Sequence, residues 1–360
     1  MIHIPQESFE LLRGEKYQSV DCSANPPTVQ EIVSEPPVIS VLMLVYNHER
    51  FLAEALESII FQQCSYSFEI VIGEDASSDR SLSILKEYRQ KFPEKIRIVS
   101  GEKNIGAIGN FFRTLSFCRG KYLAFCEGDD YWKRTDKLQL QVNFLETHLD
   151  CSAAFTSAER YFQSSGKTES VISIDTTEGF WNFSDILFDY RGWPASCTLF
   201  CRRELMIRFQ QEIPWSTWNL ALGDAAWRLA LASYGRIACL PEVTGVYRTN
   251  AGSATKSGLP ERIVRLVADS WFIRNSYALQ HGNEAQQREL ALDLLSMLAS
   301  ASSGTICPAR VAELFRLGHI FGKHWTWREY IRLQSSRHMG SLRLLRWTLN
   351  CFKMVKQNRN

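Results

Sequence analysis

Short apolar runs and amphipathic stretches alternate along the first half of the chain. Val38–Val45, Phe68–Gly73, Ile96–Val99 and Tyr122–Cys126 are almost uniformly apolar, the pattern of strands covered on both faces. Between them the period lengthens to that of a helix. Residues 50–63 place Leu52, Leu56, Ile59 and Ile60 on one face, and 79–91 place Leu82, Leu85 and Tyr88. Residues 107–118 form a third such stretch, and 136–148 a fourth with Leu138, Val142 and Leu145. Strand–helix alternation of this kind predicts a doubly wound α/β domain with a mostly parallel sheet. Residues 1–37 carry Asn25-Pro26-Pro27 and Glu35-Pro36-Pro37 and read as an appended arm. The domain is expected over 38–255, followed by a helical region over 256–360 with helices near 262–277, 284–298, 309–321 and 327–333.

In open parallel sheets ligands bind beyond the carboxyl ends of the strands, so the loops there should hold the chemistry. The first strand runs into Tyr46-Asn47-His48, and the second into Glu74-Asp75-Ala76-Ser77-Ser78-Asp79. The fourth runs into Glu127-Gly128-Asp129-Asp130-Tyr131-Trp132. Carboxylates this close repel one another unless a cation joins them, and hard oxygen donors suit magnesium or manganese shared with phosphates. A solvated turn before the next helix explains an isolated acidic tetrapeptide equally well. Ser78 and Asp79 fit the cap of the helix at 79–91, whereas Asp75 is nearer the strand end and better placed for a nucleobase or ribose.

In order along the chain stand Val41-Leu42-Met43-Leu44-Val45-Tyr46-Asn47, Ser58-Ile59-Ile60-Phe61-Gln62-Gln63 and Glu69 to Asp79. Asn104-Ile105-Gly106, Asn110, Arg119-Gly120-Lys121-Tyr122 and Glu127 to Trp132 follow. Over about residues 38–250 this ordered set resembles the family 2 glycosyltransferases, inverting enzymes of the GT-A fold, and in particular members that assemble bacterial polysaccharides and glycans. The resemblance implies a mixed, mostly parallel sheet flanked by helices, with a nucleotide-binding half at 38–132 and an acceptor-binding half at 133–255. It implies transfer of a hexosyl or N-acetylhexosaminyl group from a nucleotide diphosphate sugar, a UDP-sugar being favoured. The acceptor would be a hydroxyl on a glycan, lipid-linked glycan or protein. Tyr46, Asn47, Glu74, Asp75, Asn104, Asp129 and Arg248 would bind the donor. Asp129, Asp130 and Glu127 would meet a divalent cation, Mn2+ or Mg2+. Glu74 and Glu127 stand where the family often has aspartate, which moves the charge outward by one methylene.

An inverting displacement needs a base from a different loop than the metal cluster. Leu222-Gly223-Asp224 opens an apolar helix, and by resemblance to the family's acidic motif Asp224 is the general base; on the residues alone an N-cap fits as well. Val246-Tyr247-Arg248-Thr249-Asn250 resembles a segment that often reads Y-R-x-H, with Asn250 in place of the histidine. Arg248 and Lys256 would then carry more of the diphosphate charge. Aromatic faces stack on sugars, which makes Trp193 and Trp132 acceptor-site candidates, whereas Trp181, Trp215 and Trp218 read as packing residues.

With 41 basic and 39 acidic residues, the net charge of +2 argues against a nucleic-acid partner. The ten cysteines show no C-x-x-C spacing, and no leader precedes the domain, so thiols in the cytoplasm are expected. Residues 341–357 are amphipathic, basic and aromatic, and suit either a peripheral contact with the cytoplasmic face of a membrane or packing on the domain. Rival readings are a nucleotidyltransferase, which would carry a Gly- and basic-rich phosphate loop absent after the first strand, and a non-catalytic nucleotide- or carbohydrate-binding scaffold.

Overall fold

A computed structural model describes residues 28–29, 35–172, 179–188, 194–212 and 223–249, and scattered positions between 270 and 290. The chain divides into two compact units, Gln18–Lys256 and Met1–Tyr17 with Ser257–Asn360. Of the second unit, the described residues include a helical run over 276–281. Trp193, Trp215, Trp218, Asn250, Lys256 and the segment 341–357 lie outside the described residues, as do most of the helices expected after 261.

Among the described residues the first unit is built on one sheet of eleven strands. In chain order its elements begin with β1 (Thr28–Val29), β2 (Ile39–Val45), α1 (Leu52–Ile60), β3 (Phe68–Glu74), α2 (Ser81–Lys91) and β4 (Ile96–Ser100). They continue with α3 (Gly106–Leu115), β5 (Tyr122–Phe125), β6 (Tyr131–Trp132), α4 (Lys137–Thr147), β7 (Cys151–Phe162) and β8 (Lys167–Ile172). The remainder are β9 (Phe180–Trp181), α5 (Phe183–Phe188), β10 (Phe200–Arg202), α6 (Arg203–Glu212), α7 (Gly223–Tyr234) and β11 (Arg236–Thr249). The order across the sheet is β1-β4-β3-β2-β5-β10-β7-β11-β6, with β8 on β7 and β9 on β11. Strands β4, β3, β2 and β5 run parallel, β10 is antiparallel to both its neighbours, and β11 returns parallel to β7.

The four predicted strands and four predicted helices of the first half all form, with ends shifted by a few residues. Helix α1 buries Leu52, Ala55, Leu56, Ile59 and Ile60, the face its periodicity predicts. Strand β2 is buried along nearly its whole length, as a central parallel strand with both faces covered must be. Gly73 lets α3 dock on β3, because a β-carbon there would lie 1.9 Å from Thr114 Oγ1 and 2.6 Å from Asn110 Oδ1. Asn110 Nδ2 instead donates to the Gly73 carbonyl at 2.7 Å. Within the expected arm, Thr28 and Val29 add an edge strand by pairing antiparallel with β4.

The amino-terminal ends of the strands are closed by a buried ion cluster. Glu69 accepts hydrogen bonds from Ser40 Oγ at 2.7 Å and from the backbone N–H of Arg119 at 2.9 Å. The Arg119 guanidinium adds two more to Glu69 Oε2, and Arg97 stands 3.5 Å away. Among the described residues no helix is long and apolar enough to cross a membrane. The described cysteines are all free thiols.

Candidate active site

The loops after β2 and β3 are stitched to each other. Asn47 adopts a left-handed backbone, φ 58°, which asparagine tolerates better than most residues. Its Oδ1 accepts the Ser78 N–H at 2.8 Å, and its own N–H donates to Ser77 Oγ at 3.0 Å. Glu49 accepts the N–H of Arg80, and Asp79 accepts those of Glu49 and of Ser81 at the start of α2. Glu74 is buried and its Oε1 accepts the Ser77 N–H at 2.6 Å. The expected donor residues Asn47 and Glu74 are thus braces of the loops that carry them. Tyr46 beside them is half exposed.

Asp75 is also buried, and its two oxygens accept the N–H groups of Ile105 and Gly106, each at 3.0 Å. The carboxylate therefore sits at the amino terminus of α3, where the helix dipole favours negative charge. Arg113 approaches to 3.7 Å. Burial nevertheless outweighs these partners and raises the Asp75 pKa. Asn104 Oδ1 shares the Gly106 N–H at 3.0 Å.

The acidic loop after β5 is different. Gly128 packs so closely that a β-carbon would lie 2.7 Å from His48 Nδ1 and 3.0 Å from Val45 Cγ2. Asp130 turns inward: its Oδ1 accepts the Arg248 N–H at 2.8 Å, and burial followed by the charges of Asp129 and Glu127 holds its pKa well above the usual carboxylate range. Glu127 Oε2 is buried with no hydrogen-bond partner. Burial, then the charge of Asp129, push the Glu127 pKa up to about 7; Asp224 adds to the rise and Arg228 opposes it. His48, whose pKa burial lowers, also feels the charge of Asp129.

Asp129 and Asp224 thus both act electrostatically on Glu127, although about a hundred residues separate Asp224 from it. Asp224 lies in the first turn of α7, where its Oδ1 contacts the N–H of Ala225 at 3.0 Å and its Oδ2 meets Arg228 Nη2 at 3.2 Å.

Two expected site residues face elsewhere. Trp132 is 4% exposed, donates its indole N–H to the Cys197 carbonyl at 2.9 Å, and carries the buried Lys137 ammonium 4.3 Å from its ring. It is a core residue, and no open face remains for an acceptor sugar. Arg248 is equally enclosed: Nε donates to the Asp129 carbonyl at 2.8 Å, Nη1 to Gln163 at 2.9 Å and Nη2 to Glu54 at 2.6 Å. Phe51, Tyr131 and Tyr161 surround its guanidinium. Arg248 braces the acidic loop from behind, a role that its place at the end of β11 decides. Sequence reasoning missed Arg228, although its spacing of four from Asp224 puts both on one helix face. It also missed His48, which nothing in the loop sequence sets apart from a solvated residue.

Toward a divalent cation the donor set offers Glu127 and Asp129 from one loop, with the unpartnered Glu127 oxygen as the specific opening. Hard oxygen ligands of this type suit Mg2+ or Mn2+, with substrate oxygens completing the shell. Among the described residues no three His, Cys, Asp or Glu side chains form a ready-made metal cage.

Residues 40–208 match the family model described as Glycosyl transferase family 2. An uncharacterized protein of Mycobacterium tuberculosis is 29% identical over 224 residues, 62% of each chain. The chain therefore spans less than two thirds of that relative's length. An uncharacterized glycosyltransferase of Nostoc sp. is 35% identical over 109 residues, 30% of this chain and 33% of that one. Among solved structures, S. aureus TarS in complex with UDP-GlcNAc superposes with a TM-score of 0.57 at 18% identity, covering 78% of this chain and 80% of that one. That likeness is one of fold. Residues 40–208 are thus similar to the family 2 glycosyltransferases, and the helix-flanked mixed sheet around them is the GT-A fold.

Proposed function

We propose that this protein is an inverting glycosyltransferase that moves a sugar from a nucleotide diphosphate sugar to an acceptor hydroxyl, with Asp224 as the general base. The observation that carries the reading is the buried Glu127 oxygen left without a partner in the acidic loop, with the charges of Asp129 in that loop and of Asp224 in the first turn of α7 both bearing on it. Three carboxylates kept together in this way repel one another and suit a site that receives positive charge or a proton.

Glu127 and Asp129 would hold a divalent cation, and Asp224 accepts the proton of the acceptor hydroxyl as it attacks the anomeric carbon. When bound, a divalent cation supplies charge neutralisation for the departing diphosphate. Asp130 is the buried anchor of the loop rather than a ligand, because its oxygen is held by the Arg248 N–H. The half-exposed Tyr46 is the best placed of the expected donor contacts for the nucleobase. Asp75, Asn104, Asn47 and Glu74 shape the donor loops through the hydrogen bonds they already make. The donor is a UDP-sugar, and the acceptor is a hydroxyl of a glycan or lipid-linked glycan reached in the cytoplasm or at the membrane surface.

Two measurements test this together. Thermal stabilisation by a panel of nucleotide sugars, with and without manganese and magnesium, identifies donor and metal. Asp224→Asn should then lower turnover of the stabilising donor by about 100- to 10,000-fold while the stabilisation stays within 1–2 °C of wild type, as about two to four orders of magnitude are expected for a general base. Turnover retained in Asp224→Asn overturns the base assignment. A chain that no nucleotide sugar stabilises overturns the donor class.

A further inference from the structure

The buried guanidinium of Arg228 belongs to no step of the reaction above, yet it joins the base to a second segment of the site. Arg228 follows Asp224 by one turn of α7, and its Nη2 meets Asp224 Oδ2 at 3.2 Å and the Pro194 carbonyl at 2.7 Å. The two partners differ in exposure. The Arg228 side chain is 4% exposed and the Asp224 side chain 39%. The guanidinium is packed against the rings of Trp227 at 5.0 Å and Phe155 at 5.9 Å. A planar cation held by aromatic faces keeps a single orientation, so the exposed carboxylate takes its position from the arginine and not the reverse. Without that cation, Asp224 would face the charge of Glu127 uncompensated and turn away from it into solvent.

We propose that Arg228 is a positioning residue for the general base: it fixes the Asp224 carboxylate beside the acidic loop and ties it to the backbone at Pro194. The inference rests on Asp224 being the base. Pro194 stands just before the turn Ser196–Thr198 that leads into β10, so the same guanidinium links the base to that connection. A base displaced by about 1 Å from its working geometry loses on the order of 100-fold in rate, which sets the size of the expected effect.

The test uses the full chain and four variants: Arg228→Met, Arg228→Lys, Asp224→Asn and the double variant Arg228→Met with Asp224→Asn. Turnover is read as nucleoside diphosphate release from UDP-glucose, UDP-GlcNAc and GDP-mannose. Binding is read as thermal stabilisation by UDP and GDP with manganese. Arg228→Met is expected to lower kcat by about 30- to 100-fold with donor KM and nucleotide stabilisation within about threefold of wild type. Arg228→Lys, which returns a cation without the fork, should recover part of that loss. The double variant should be no slower than Asp224→Asn alone, because the arginine acts only through the aspartate. If Arg228→Met does not fold, Arg228→Gln, which keeps a donor for Pro194 and removes the charge, is read in the same way. Arg228 variants with kcat within threefold of wild type overturn the positioning role while an inactive Asp224→Asn leaves the base intact. Full turnover in Asp224→Asn overturns the base itself, whatever the Arg228 variants do. A double variant markedly slower than Asp224→Asn overturns the coupling between the two residues.

Discussion

Two glutamates sit at opposite ends of the same parallel strands and are treated in opposite ways. Glu69, at the start of β3, has two arginines, a serine hydroxyl and a backbone N–H around its carboxylate. Glu127, just past the end of β5, has a buried oxygen with no partner and two further carboxylates as electrostatic neighbours. Burying a carboxylate is tolerable when cations and donors surround it and costly when they do not. The protein thus closes one end of the sheet as a finished ionic core and leaves the other end short of positive charge. A scaffold needs the first arrangement, and a site that receives a cation or a proton needs the second.

Three substitutions probe that contrast, in decreasing order of expected effect. Glu69→Ala removes the centre of the finished cluster and strands Arg97 and Arg119, which should destabilise the domain by about 3–5 kcal/mol in chemical denaturation. A loss under 1 kcal/mol would place the two ends of the sheet on the same footing. Arg248→Met removes the brace behind the acidic loop, with its bonds to the Asp129 carbonyl, Gln163 and Glu54, and should cost about 2–4 kcal/mol together with a weakened response to manganese. An unchanged manganese response in a folded Arg248→Met protein would separate the brace from the site.

Glu127→Gln sharpens the comparison because its effect on stability should have the opposite sign. The folded protein holds the Glu127 proton up to about pH 7, whereas the unfolded chain releases it near 4.5, the ordinary value for a glutamate. Between these values the folded state binds more protons, so this group makes stability fall as pH rises from about 4.5 to about 7. In metal-free protein at pH 8 the neutral amide should therefore raise the melting temperature, by about 2–4 °C per kcal/mol recovered. The fall in stability between pH 5 and 7 should also flatten, and turnover should drop. A lower melting temperature for Glu127→Gln at pH 8 would show that the carboxylate is satisfied as Glu69 is.

Much of the first half was legible beforehand. The runs Val38–Val45 and Phe68–Gly73 are too apolar for anything but strands covered on both faces, and the spacing of Leu52, Leu56, Ile59 and Ile60 allows one helix face. The second half was far less legible. Cys151–Phe162 is a twelve-residue strand made largely of small and polar residues, and its pairing with β11, β10 and β8 makes it one. Strand β11 contains Pro241 and three register shifts against β7, which blur any periodicity. Trp132 illustrates the same limit at the site, since a tryptophan after an acidic loop reads alike whether it faces a sugar or, as here, Cys197 and Lys137.

By itself the sequence determined which loops carry the carboxylates, because strand ends follow from local hydrophobic patterning and the chemistry of open sheets lies beyond them. Only the tertiary structure decided what each carboxylate does. Asp75 caps α3, Asp130 is clasped by the backbone of Arg248, and Glu127 is left beside Asp129 and Asp224. These fates depend on partners some thirty to over a hundred residues away. Local patterning reports burial and periodicity but not which distant donor arrives, and that arrival separates a structural carboxylate from an available one.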